Sequence, residues 1–170
     1  EPGTDEDRQR KFLIIVLLIN ATLFAVELTA GIVASSMGLV ADSLDMLADT
    51  LVYGMSLFAV GKALQHKKRV AQISGYFQLG LALFGLVEVV RRFLGAGDEP
   101  NFALMIGISL LALTGNVASL LVLQRAANHE VHMKASWIFT TNDVLVNIGV
   151  ILAGVLVFMT GSKIPDLLVG

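Results

Sequence analysis

Ala41-Asp42-Ser43-Leu44-Asp45-Met46-Leu47-Ala48-Asp49 places three carboxylates at the head of an apolar run that continues to Ala63. At about 3.6 residues per turn, Asp45 and Asp49 stand one above the other on one helix face, and Asp42 lies a turn earlier. A charged side chain at the centre of a bilayer costs at least ~2.5 to 3.5 kcal/mol, so several on one face call for a counter-charge, a proton or a bound cation. The chemistry such a stripe can do is ion binding. A second polar face occurs near the other end of the chain, where Asp143 and Asn147 share one side of a helix and Asn142 flanks them.

The elements that must position these groups are membrane helices. The 170 residues are 55% hydrophobic and 15% charged, which describes an all-α membrane protein better than a soluble core. Apolar segments long enough to cross ~30 Å of hydrocarbon at ~1.5 Å per residue run over 12–34, 40–64, 70–94, 102–124 and 135–159. Residues 1–11 read as a polar tail and not as a signal peptide. From 164 a further apolar segment begins and stops within two turns, so the expectation is five full spans and the start of a sixth. The absence of an initial Met reads as a fragment or a processed chain. Arg8, Arg10, Lys11, Lys62, Lys67, Lys68, Arg69, Arg125 and Lys134 fall on one side, against Arg91, Arg92 and Lys163 on the other. The positive-inside rule therefore puts the N-terminus and the loops near 66 and 129 in the cytoplasm.

Depth brings the two polar faces together. Asp49 is nine residues from the outer end of its span, about 14 Å in, and Asp143 is eight from the inner end of its own, about 12 Å in. Asn147 falls in height between Asp45 and Asp49, so all four converge on one ion if the two helices pack together. Asp49-Thr50-Leu51-Val52-Tyr53-Gly54 also echoes Asp143-Val144-Leu145-Val146-Asn147-Ile148-Gly149, a hint of the inverted repeats that place transporter sites near the midplane. In the first span, Asn20, Phe24, Glu27 and Gly31 form a helix seam that faces protein. Asn20 and Glu27 read either as packing contacts or as a proton relay beside the aspartates, with Asp42. Glu88 is placed to pair with Arg91 and Arg92, and Asn116 to donate a hydrogen bond between helices. His129 and His132 are candidates for a cytoplasmic ion entrance, or plain solvated surface, and His66 belongs to the basic loop. The chain has no cysteine, hence no disulfide or thiolate site. It shows no Gly-rich phosphate loop, nucleophile arrangement or nucleic-acid patch, which points away from an enzyme or a nucleic-acid partner.

With these residues in view the chain resembles the cation diffusion facilitators, proton-coupled exporters of divalent transition metals. The likeness is carried by Asn20, Phe24, Glu27 and Gly31, by Ser36 to Leu39 leading into Ala41 to Asp49, by Glu88 with Arg91 and Arg92, by Asn116, and by Ala135-Ser136-Trp137 leading to Asp143. The resemblance implies a helical bundle of that family's kind and a transport site at Asp45, Asp49 and Asp143. It also implies proton antiport, a homodimer in a plasma (inner) membrane, and no cofactor beyond the transported cation. Family members usually add a cytoplasmic domain, and none is expected within these 170 residues. Where many members carry a histidine four residues before the aspartate of the fifth span, this chain has Phe139. The remaining donors are then the amides of Asn142 or Asn147, and an all-oxygen shell suits manganese, iron(II) or cobalt(II), with zinc and cadmium still able to bind. A membrane assembly module, whose carboxylates pair with basic groups of a partner chain, is the alternative from a different class.

Overall fold

A computed structural model describes residues 2–59, 64–95, 97–126 and 131–170. Its elements are α1 (Pro2–Val33), α2 (Met37–Ala59), α3 (Leu64–Phe93), α4 (Phe102–Ala126), α5 (Val131–Thr160) and α6 (Ile164–Val169), with no strand among the described residues. Each expected span overlaps a helix, although α1 and α3 begin earlier than expected and the span over 40–64 can be followed only to Ala59. The polar residues of 2–11 are not a separate tail, because they form the first turns of α1 with Pro2 at its start, where a missing N–H costs no helical bond.

Local chemistry sets the ends. Ser35 adopts a left-handed conformation (φ 53°) that breaks α1 from α2, and the Ser36 hydroxyl accepts from the Leu39 N–H at 3.2 Å, capping α2. Asn101 caps α4 in the same way, accepting from the Leu104 N–H at 3.1 Å.

Helices α1, α2, α4 and α5 form a bundle in which α1 packs most extensively on α2, and α4 on α5. Contact between α1 and α4 closes the middle, whereas α2 and α5 meet over a narrower strip. Among the described residues α3 touches only α2 and α6, and α6 lies against α2, α3 and α5. Three apolar layers fill the bundle: Ala34, Leu39, Met105, Val150, Ala153 and Val157 at the end near the α1–α2 turn, Leu23, Met46 and Ala112 in the middle, and Leu13, Val16 and Tyr53 at the opposite end.

The outward faces are apolar too, with Ile32, Val33, Leu83, Phe84, Val87 and Phe158 among the exposed side chains, as a surface facing lipid requires. Within the described residues three stretches are long and apolar enough to cross a membrane: Arg10–Val33, Phe102–Val122 and Thr141–Thr160. The expectation of five apolar spans is thus met in composition by three. Helix α2 is otherwise apolar and stands apart from these three through its aspartates Asp42, Asp45 and Asp49, which make the polar face described below.

The close approach of α1 and α2 depends on Gly31. A Cβ there would lie 2.9 Å from the Val40 backbone nitrogen and 3.1 Å from the Leu39 Cβ. Small residues let helices meet at van der Waals distance, the main attraction left between helices in lipid. Gly31→Val should therefore push α2 off α1 at a cost of about 1 to 3 kcal/mol. The expected result is a melting temperature lowered by at least a few degrees in detergent-solubilised protein, read by the loss of helical circular dichroism on heating.

Candidate metal centre

The seam expected on α1 is a seam in the structure: Asn20, Glu27 and Gly31 are buried and Phe24 is half-buried. It faces the aspartate stripe of α2, where Asp42 and Asp49 are buried and Asp45 is half-buried. From α5, Asp143 and Asn147 point into the same interior and are buried. Helical periodicity explains this convergence, since residues four apart on facing helices meet at successive levels of the bundle.

The carboxyls are arranged as two facing pairs. Glu27 faces Asp42, and all four of their oxygens are buried with no hydrogen-bond donor among the described residues. Asp49 faces Asp143 across the α2–α5 strip, with one buried oxygen of each lacking a donor. The Tyr53 hydroxyl, one turn along α2, donates to Asp49. Two carboxyls in contact repel unless a proton or a cation lies between them, so both pairs are places where a positive charge belongs.

Asp45 departs from the expected convergence. Its carboxylate receives a hydrogen bond from Gln78 of α3 and lies beside the Asp49–Asp143 pair, close enough to act on Asp143 by charge. Among the described residues no three acidic or imidazole groups close into one metal shell. The Asn147 amide nitrogen donates to the Asp143 carbonyl at 2.8 Å, which leaves its Oδ1 buried and unpartnered at the level of the pair. Asn20 behaves alike on α1, donating to the Val16 carbonyl at 2.9 Å with its Oδ1 unpartnered. Asn142 is exposed and lies off this face, because a residue adjacent to Asp143 is rotated about 100° around the helix.

Asn116 was expected to bond a neighbouring helix. It is buried on α4 with neither side-chain atom bonded among the described residues, and the Ser109 and Ser119 hydroxyls on α4 are buried likewise. Glu88 pairs as expected, accepting from Arg91 Nε at 2.8 Å and Nη2 at 2.7 Å and from Arg92 Nε at 2.9 Å. His129 lies outside the described residues, as do the side chains of His66, His132 and Phe139. Sequence reasoning missed Tyr53 and Gln78. The four-residue spacing of Asp49 and Tyr53 was a usable signal for the first, whereas Gln78 reaches Asp45 only through the packing of α3.

The model of one protein family, the cation efflux transmembrane domain, matches residues 13–170. The chain belongs to the cation efflux family. No curated protein matches the chain. Membership makes it an integral membrane transporter domain for metal cations and not an enzyme.

Removing one member of the Glu27–Asp42 pair tests how these groups are held. Glu27→Gln replaces a carboxyl with an amide that can donate to Asp42, ending the repulsion at nearly constant volume. A gain of about 1 kcal/mol, or a melting temperature higher by about 2 to 4 °C, is expected from thermal unfolding in micelles.

Proposed function

We propose that this domain exports divalent transition-metal cations in exchange for protons, at a site centred on Asp49 and Asp143. The supporting observation is that these carboxyls, supplied by two different helices, face each other in the bundle interior, each with one buried oxygen that no group among the described residues satisfies. Asn147 Oδ1 is the nearby neutral oxygen that could ligate the cation, and Asp45 completes the set by leaving Gln78. Glu27, Asp42 and Asn20 lie along the same interior and serve as the proton-carrying side of the exchange. His129, between α4 and α5 in sequence, and His132, in the first turn of α5, would collect ions on the side expected to be cytoplasmic.

The cation enters from the cytoplasm and binds the ionised aspartates. Protons arriving from the opposite side compete for the same oxygens, and rocking of the helices exposes the site to one face at a time. An oxygen-only shell favours manganese, iron(II) or cobalt(II) within the divalent series, with zinc and cadmium also accepted. The domain sits in a plasma membrane with its N-terminus in the cytoplasm and works as a homodimer.

Asp49→Ala and Asp143→Ala should each abolish metal uptake into vesicles while leaving the protein inserted, since removing one of two like charges does not strain the bundle. Asp42→Ala should retain more activity. Uptake at the wild-type rate by either of the first two variants refutes the assignment.

Exchange at these oxygens also requires competition. Binding of manganese or zinc should weaken as the pH is lowered from about 8 to about 6, by up to tenfold per unit for each proton displaced, a range in which an isolated carboxylate of pKa ~3.9 is silent. Titration calorimetry at stepped pH measures it, and an affinity constant across the range argues against antiport.

A further inference from the structure

Helices α2 and α5 carry the two halves of the site, yet they share only a narrow contact strip. A second tie joins them at the end near the α1–α2 turn. Asp166, six residues beyond the end of α5, is buried against the first turn of α2. Its Oδ1 accepts from the Ser36 hydroxyl at 2.6 Å and from the Gly38 N–H at 3.0 Å, and its Oδ2 accepts from the Met37 N–H at 2.6 Å. The same Ser36 oxygen accepts from the Leu39 N–H. The N–H groups that open α2, which have no partner within a helix, are thus satisfied by a carboxylate about 130 residues away in sequence.

The fit is close. A Cβ on Gly38 would lie 3.1 Å from Asp166 Oδ1 and 3.3 Å from a Val150 methyl of α5, so a side chain at 38 would crowd both partners. Leu167 packs with Met37 and Val40 beside the carboxylate. The neighbouring turn is held from two more directions, by Arg92 of α3 donating to the Ser35 carbonyl at 2.6 Å and by the Asn101 N–H donating to the Ala34 carbonyl at 2.8 Å.

We infer that Asp166 is a positioning residue for transport: by clasping the first turn of α2 from the segment that follows α5, it sets the α2–α5 spacing and thereby the separation of Asp49 and Asp143. It is not a ligand. Its oxygens are occupied by three donors, and Asp45 and Asp49 lie about 10 and 16 Å further along α2. The inference rests on the transport reading given above for those two aspartates.

Asp166→Asn keeps the volume but turns an N–H donor toward the Met37 or Gly38 N–H, so the clasp opens. In vesicles, the manganese or zinc concentration that half-saturates uptake should rise about tenfold, a typical coupling between distant sites, while the maximal rate per inserted molecule changes less. Leu167→Ala, which loosens the same segment but leaves the clasp, should lower thermal stability and keep the wild-type half-saturation. An equal shift in both variants, or none in Asp166→Asn, overturns the proposal. If Asp166→Asn fails to insert, Ser36→Ala, which removes one of the three donors, should give a smaller shift in the same direction, and no shift overturns it.

The chain has no cysteine of its own, so spin labels at Leu51→Cys on α2 and Leu145→Cys on α5, both exposed, report the helix spacing directly. Asp166→Asn should broaden or lengthen that distance, and an unchanged distance overturns the proposal. If the wild-type protein binds neither metal, the transport reading fails, and the label distance then decides the clasp by itself.

Discussion

Carboxylates removed from water without basic partners govern this molecule. Glu27, Asp42, Asp49 and Asp143 are buried in one bundle, and no buried basic side chain accompanies them among the described residues. Their desolvation and mutual repulsion oppose folding unless positive charge arrives from elsewhere, as protons or as a cation. The ion pairs of Glu88 with Arg91 and Arg92 lie away from this interior and cannot supply it. A protein built this way is stable in proportion to what it binds, a property suited to a carrier and ill suited to a scaffold. That balance, together with membership of the cation efflux family, favours transport over an assembly role whose carboxylates await a partner's basic groups.

The helices divide the work of holding such a site. Broad packing of α1 on α2 and of α4 on α5, with Gly31 allowing one close approach, makes two firm pairs. Between α2 and α5 the contact is narrower, so the Asp49–Asp143 separation is set more by what ties the helix ends than by the strip itself. Discrete ties at one end and sparse packing elsewhere are the anatomy expected of elements that rock against each other. Helix α3 stands to one side, bonded to Asp45 through Gln78 and to the α1–α2 turn through Arg92, with most of its apolar surface facing outward.

Periodicity and composition were enough to place the long helices, to mark Asn20, Glu27 and Gly31 as an inward seam, and to set Asp49 level with Asp143. Each follows from local geometry: a fixed rise and rotation per residue convert sequence spacing into height and face. Helix ends were less legible, because polar residues at a helix start and a polar tail share one composition, and α1 proved to begin at Pro2. Which way a long polar side chain turns was not legible at all. Asp45 bonds Gln78 on a helix that spacing could not place beside it, and Asn116 finds no partner among the described residues where one was expected.

The sequence by itself therefore determined the class of the protein, its helices, the faces on which its carboxylates lie and the family it belongs to, since all of these are set by residue type and by spacing within one helix. Only the tertiary structure decided which carboxyls meet. Glu27 with Asp42, Asp49 with Asp143, and Asp166 with the first turn of α2 are contacts across 15, 94 and about 130 residues of chain. Such pairings depend on how neighbouring helices rotate and slide until close-packed surfaces interlock, and no local periodicity encodes that.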